Sequence, residues 1–211
     1  MAPHSSPIAA DDLPARKAAL RAAALARRDA LDPGWRAEAS RRIAERALAV
    51  PDLLDASPVS GFWPIRSEVD PRPLLRALHE RGRALALPMV ADPHLLFRTW
   101  TPGAALIRRP FGLSEPPDAA PPVLPRTLLV PLACFDRGGG RVGYGKGHYD
   151  RALAALRSSG ALAVGLAFSC QEVDRVPVGE HDQPLDWVVT EAEAIRTEPE
   201  PDGGSRAPAA N

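Results

Sequence analysis

The stretch from Cys134 to Asp150 constrains this chain more than any other. Six glycines fall in the ten positions Gly138 to Gly147, between the apolar run Thr127–Leu132 and a helical pattern over Arg151–Ser158. An unbroken apolar run of that length suits a strand buried on both faces, as in parallel sheets. Glycines without a Cβ let successive backbone N–H groups turn inward, and the following helix aims its own free N–H groups at the same spot. Lys146 and Arg141 add positive charge, so phosphate is the expected guest. Gly140-x-x-x-x-Gly145-Lys146 repeats most of the P-loop spacing, but Gly147 replaces the hydroxyl residue that would meet magnesium. A hairpin or surface loop that merely tolerates glycine is the competing interpretation.

The remaining pattern places this segment in an α/β domain. A helix is predicted over Leu13–Leu31, with Asp12 as its N-cap and Asp32-Pro33-Gly34 as its stop, and a second helix over Trp35–Val50. Pro58–Trp63 reads as a strand, Pro71–Arg81 as a helix and Arg83–Leu87 as a strand. That βαβ unit implies parallel pairing. Leu95–Trp100 is a further strand, and the proline-rich stretch Gly112–Pro125 a surface loop. Leu162–Phe168 and Asp186–Thr190 complete the strands, with capping-box spacing at Ser169-x-x-Glu172 before a short helix. One domain over residues 12–196 with a mostly parallel sheet is expected, flanked by loose tails at 1–11 and 197–211.

Composition narrows the partners. Lys plus Arg count 26 and Asp plus Glu 26, so the net charge is zero, which gives no support to coating nucleic acid or an anionic membrane. Eleven aromatics (five Phe, four Trp, two Tyr) and no RNA-recognition motif point the same way. No window approaches a membrane span, and the first residues lack a secretory pattern. Two cysteines without a CxxC or Cys/His cluster suggest a reduced, cytoplasmic protein without a metal cluster. The short, neutral chain suggests a monomer. Of the 26 basic residues only Lys17 and Lys146 are lysines, which marks both as places to look for chemistry, with chance as the bland alternative.

The loop Arg141-Val-Gly-Tyr-Gly-Lys-Gly-His-Tyr-Asp-Arg151 resembles the signature of the 5-formyltetrahydrofolate cyclo-ligase family. Lys17-Ala-Ala-Leu-Arg21, Phe62-Trp-Pro-Ile-Arg-Ser-Glu-Val-Asp70, Phe97-Arg-Thr-Trp100, Pro110-Phe-Gly-Leu-Ser-Glu-Pro116, Val130-Pro-Leu and Val176-Pro-Val-Gly-Glu-His-Asp182 follow in the family's order, over roughly residues 15 to 190. The resemblance implies a three-layer α/β/α domain similar to the sugar-phosphate isomerase and CoA-transferase group. It also implies ATP- and Mg2+-dependent cyclisation of 5-formyltetrahydrofolate to 5,10-methenyltetrahydrofolate.

Carried over, Lys17, Arg21, Arg141, Val142, Gly143, Tyr144, Gly145, Lys146, Gly147, His148 and Tyr149 would hold ATP, with Arg141, Lys146 and Tyr149 acting in the reaction. Ile65, Asp70, Trp100 and the stretch Tyr144 to His148 would border the folate, with Glu68 on the same strand face as Asp70. Asp150 and Asp182 would hold magnesium, a hard ion that takes only one or two carboxylates when phosphates supply the rest. Lys17, Arg21 and Arg28 read equally as a solvated basic face, Asp150 as a helix-start residue, Asp182 as a turn aspartate, and Trp100, Phe62 and Trp63 as core. Where the family shows Tyr-Tyr-Asp this chain has His148-Tyr149-Asp150, and the family does not require lysine at 146. A nucleotide-binding regulatory module without chemistry is the alternative function.

Overall fold

The computed structural model describes residues 12–51 and 57–197. Seven strands form one sheet: β1 (Val59–Ser60), β2 (Leu85–Ala91), β3 (His94–Thr99), β6 (Thr127–Pro131), β9 (Leu162–Leu166), β10 (Trp187–Val189) and β11 (Ala194–Arg196), in the order β11-β10-β9-β6-β1-β2-β3. The five inner strands β2, β1, β6, β9 and β10 are parallel, and β3 and β11 close the two edges antiparallel. Two short hairpins stand outside it: β4 (Ile107–Arg108) with β5 (Ser114–Glu115), and β7 (Cys134–Phe135) with β8 (Arg141–Val142). Four helices accompany the sheet: α1 (Leu13–Asp29), α2 (Pro33–Ala47), α3 (Arg72–Glu80) and α4 (His148–Leu156).

Alternation along the inner strands sorts side chains to two cores, which makes the domain three layers deep. On β6, Leu129 packs on one side with Ile43 and Ala47 of α2 and Leu74, Leu75 and Leu78 of α3. Its neighbours Leu128 and Val130 turn the other way, onto Ala152, Leu153 and Leu156 of α4. Both faces being covered explains why β6 is apolar at every position but its ends. Pro88 is tolerated within β2 because β1 pairs only with Leu85 and Ala86, so no partner on that side asks for the missing N–H.

Helix α1 belongs to neither main layer. Its residues Lys17, Arg21, Ala24 and Arg28 recur at i, i+4, i+7 and i+11, one helix face. That face turns inward: Ala24 packs with Cys134 and Val142 of the second hairpin and with Val176, and Arg28 is 1% exposed. The solvated basic face is therefore excluded for Arg28.

The helix boundaries carry corrections with local causes. Asp12 makes no side-chain cap bond, since its backbone is already helical at φ −88°, ψ −18°. The cap is one helix later, where the Asp32 carboxylate accepts from the Trp35 N–H at 2.9 Å, so Asp32-Pro33 opens α2 rather than only closing α1. At the expected capping box, Gln171 rather than Glu172 reaches back, accepting from the Phe168 N–H at 2.8 Å. Strand β11 was not anticipated. Thr197, assigned to the tail, is 8% exposed, and its N–H donates to the Asp186 carbonyl at 3.1 Å. The expected tail residues 1–11 and 198–211 lie outside the described residues. Among the described residues no helix is long and apolar enough to cross a membrane.

The glycine-rich segment divides in two. Gly138 to Gly140 form the turn of the β7–β8 hairpin, organised by Asp136, whose carboxylate accepts from the N–H groups of Gly140 at 2.9 Å and Val176 at 2.7 Å. Gly139 has φ +88°, and a Cβ there would lie 2.6 Å from the Leu185 carbonyl oxygen. The hairpin interpretation thus holds for the first three glycines. Only Gly143, Gly145 and Gly147 belong to the loop that enters α4, which starts at His148, three residues earlier than expected.

Candidate active site

Counted among the parallel strands alone, the spatial order is 2-1-3-4-5, so the chain's winding reverses between β1 and β6. In open α/β sheets ligands collect at the carboxyl ends of the strands beside that reversal. A cavity of about 870 Å³ lies there. Phe62, Trp63, Ile65, Arg66 and Glu68 reach it from the loop after β1, Pro88 and Val90 from β2, and Pro131 from the end of β6. The loop Val142 to Gly147 and the first turn of α4 form its other wall, with Lys17 and Arg21 of α1 above. One half is therefore apolar and the other charged. Such a volume is near the upper end for a single small-molecule site.

The charged half is built around unpaired backbone donors. The N–H groups of Tyr144, Gly145, Lys146 and Gly147 have no acceptor among the described residues. Gly147 takes φ +65°, ψ 14°, which swings the chain into α4 and leaves that helix's first N–H groups free beside the loop. Cations surround this cradle. Arg21 Nε donates to the Gly143 carbonyl at 2.6 Å and so holds the loop while standing over it. Lys17 pairs with Asp182, whose Oδ2 also accepts from the Gly179 N–H at 2.6 Å. Arg141, its side chain 5% exposed, donates to Asp150 Oδ1 at 2.8 Å and to the Gln183 carbonyl. Burial pulls Arg141 below its ordinary pKa while Asp150 and Asp182 oppose this, and the guanidinium stays charged. Lys146 is exposed, and its ammonium makes no ion pair among the described residues.

The first turn of α4 is also fastened from the other side. His148 Nε2 lies 3.2 Å from Asp92 Oδ1 in the β2–β3 turn, and Arg151 donates to the carbonyls of Pro93 and Lys146, both at 2.7 Å. Burial, with Glu68 nearby, pushes the Tyr149 phenol well above its ordinary pKa, so it stays neutral as a donor.

On the apolar half the structure separates two residues expected together. After Ile65 the chain makes a tight turn in which Arg66 adopts φ +53° and the Glu68 N–H donates to the Ile65 carbonyl at 3.1 Å. Strand alternation therefore does not apply, and Glu68 and Asp70 do not share a surface. Glu68 enters the cavity, accepting from the Ile65 N–H at 2.9 Å, and burial raises its carboxyl above the ordinary value. Asp70 lies outside the cavity lining, where its two oxygens take the Arg72 guanidinium at 2.8 and 2.7 Å at the start of α3. Trp100, 7% exposed, also lies outside: it is core, edge-on to Trp63 at 6.0 Å between ring centres. Trp63, expected as core, packs against it and also reaches the cavity. Lys17, Arg21, Ile65, the stretch Arg141 to Tyr149, Asp150 and Asp182 all line it. Glu115 and Asp92 also line it and were not singled out; Glu115, 5% exposed, ties β5 to β2 by accepting from the Val90 N–H at 2.9 Å.

The carboxylates suit a hard cation that brings its own oxygens. No group of three or more His, Cys, Asp or Glu side chains is gathered for a metal among the described residues. Among the described residues, Asp150 and Asp182 each commit one oxygen to protein donors, while Asp150 Oδ2 and Asp182 Oδ1 have none. Two part-engaged carboxylates beside a phosphate cradle fit magnesium, which keeps waters and takes phosphate oxygens.

The model of the 5-formyltetrahydrofolate cyclo-ligase family matches residues 14–191. A 5-formyltetrahydrofolate cyclo-ligase of Escherichia coli strain K12 is 34% identical over 171 residues, covering 78% of this chain and 94% of that protein. Its counterpart in Mus musculus is 25% identical over 189 residues, covering 83% and 93%. The solution structure of Aquifex aeolicus 5,10-methenyltetrahydrofolate synthetase superposes with a TM-score of 0.75 at 31% identity, covering 90% of this chain and 96% of that one.

Proposed function

Since the chain belongs to the 5-formyltetrahydrofolate cyclo-ligase family, a family of enzymes, we propose that it converts 5-formyltetrahydrofolate to 5,10-methenyltetrahydrofolate, consuming ATP with magnesium. The observation that carries the ATP half is the row of unpaired N–H groups from Tyr144 to Gly147, set against the free N-terminus of α4 and ringed by Lys17, Arg21, Arg141 and Lys146. A second, apolar compartment in the same cavity, with Glu68 inside it, supports a flat heterocycle beside the nucleotide. A module that only bound nucleotide would not need it.

The chemistry asks mainly for placement and charge neutralisation. The formamide oxygen attacks the γ-phosphorus and the bond to the bridging β-oxygen breaks, so ADP departs. The N10 lone pair then attacks the activated formyl carbon, the carbon–oxygen bond breaks, and phosphate leaves with the N10 proton. The loop amides and Arg141 would hold the transferring group, Lys146 would reach it from the loop, and Lys17 and Arg21 would bind the outer phosphates. Tyr149, kept protonated by burial, would donate a hydrogen bond at the reacting centre. Glu68 would accept from pterin N–H groups, with Ile65 and Trp63 against the ring faces. Asp150 and Asp182 would hold magnesium, which supplies positive charge to the phosphates.

The test is the rise of methenyl-folate absorbance on adding 5-formyltetrahydrofolate, with and without ATP and with and without magnesium. Turnover that needs both is expected. Asp150→Ala should remove most of it, and an Asp150→Ala enzyme with full magnesium-dependent activity would end the metal assignment.

A further inference from the structure

Arg28 is buried to 1% exposure in the last turn of α1, yet among the described residues no carboxylate pairs with it directly. Its Nε donates to Ser67 Oγ at 3.0 Å, one terminal nitrogen donates to the Tyr144 hydroxyl at 2.9 Å, and the other lies 3.5 Å from the Leu132 carbonyl. Ser67 Oγ passes its proton side to the Asp29 carboxylate, which fixes its lone pair toward Arg28. A desolvated cation is expensive. Here it is offset by oriented dipoles, including the carbonyl end of α1 itself.

What distinguishes this cation is the set of parts it joins. Helix α1 carries Lys17 and Arg21, the nucleotide side. Ser67 precedes Glu68 in the turn that forms the folate side. Tyr144 belongs to the glycine loop, and both it and Glu68, the residue after Ser67, line the cavity. We propose that Arg28 is a positioning residue that makes the two compartments interdependent: seating the loop on a triphosphate places Tyr144, Arg28 carries that placement to Ser67 and so to the neighbouring Glu68, and the reverse holds. The inference rests on the function proposed above and adds to it a coupling between the two substrates.

Reciprocal linkage makes the coupling measurable without turnover. The affinity of a non-hydrolysable ATP analogue with magnesium is measured by calorimetry, with and without saturating 5-formyltetrahydrofolate, for the wild type, Arg28→Lys, Tyr144→Phe and the double variant. In the wild type the folate should tighten the analogue by about 5-fold or more. Either substitution should bring that factor to about one. The double variant should lose no more than the greater single loss, since both cut one chain. Tyr144→Phe keeps the ring on a half-exposed loop, so it carries the test even if Arg28→Lys does not fold. A merely structural role would lower thermal stability and leave the factor unmoved. An intact factor in Tyr144→Phe, additive losses, or no coupling in a wild type that turns over substrate would overturn the inference and leave the functional reading standing. A wild type without turnover would instead overturn that reading.

Discussion

Removing the Glu68 carboxyl from water costs free energy only while it is charged. Burial is the leading cause of its raised pKa, and the Ile65 N–H, Arg28, Tyr144 and Arg66 offset it only in part. The folded protein therefore keeps this proton to higher pH than the unfolded chain does. Stability from this group is fully present below the unfolded carboxyl pKa and is lost as pH rises through the folded value. Glu68→Gln should accordingly raise the melting temperature, and by more at pH 7 than at pH 4, while lowering kcat/KM for the reduced folate. Equal gains at both pH values would contradict this. Lys17 shows the opposite balance of roles. Its ion pair with Asp182 leaves the side chains 19% and 26% exposed, so it contributes little to stability. Lys17→Ala should change the unfolding free energy by no more than about 1 kcal/mol, yet raise the KM for ATP roughly 10- to 100-fold, the worth of a charge-assisted contact. Glu68 was legible in the sequence only as a neighbour of Asp70. The turn at Arg66 separates them, and no spacing rule announces a left-handed arginine.

Among the elements, the loop and α4 act as one unit. Gly147 sits at the joint with φ +65°, and a Cβ there would come 2.9 Å from an Arg151 guanidinium nitrogen. That guanidinium holds the Pro93 and Lys146 carbonyls, so it cannot move aside without releasing the loop. Gly147→Ala should cost about 1–2 kcal/mol from the left-handed backbone alone and weaken the ATP analogue, whereas Gly143→Ala, which meets nothing within 4 Å, should do neither. Equal effects from both in denaturant melts and calorimetry would refute the assignment of the joint to Gly147. The two glycines look alike in the sequence. The apolar run feeding β6 and the helix after the loop were readable because burial on both faces and helical spacing leave direct marks. The β7–β8 hairpin was not, since its strands are two residues long and rely on Asp136 and α1 for support.

At the scale of the whole molecule, the winding reversal between β1 and β6 opens a cleft where stretches of chain far apart in the sequence meet. Ligands that bind only this assembled cleft must stabilise the fold by mass action. A magnesium-bound non-hydrolysable ATP analogue at about 100 times its Kd should add about 2.7 kcal/mol. For a domain of this size that is a rise in melting temperature of roughly 5–10 °C. The rise should shrink in Asp150→Ala, and the same rise in that variant would argue against a metal at Asp150.

The α/β class, the mostly parallel sheet and the glycine loop between a strand and a helix were determined by the sequence alone, because each depends on short-range pattern: apolar runs, helical periods and glycine spacing. The resemblance of its motifs to one enzyme family needed nothing more either. Which side chains share the cavity was settled only by tertiary structure. Lys17 and Asp182 meet across 165 positions, and Arg28 and Tyr144 across 116. Contacts at such separations arise from how the layers stack, and no local pattern encodes them.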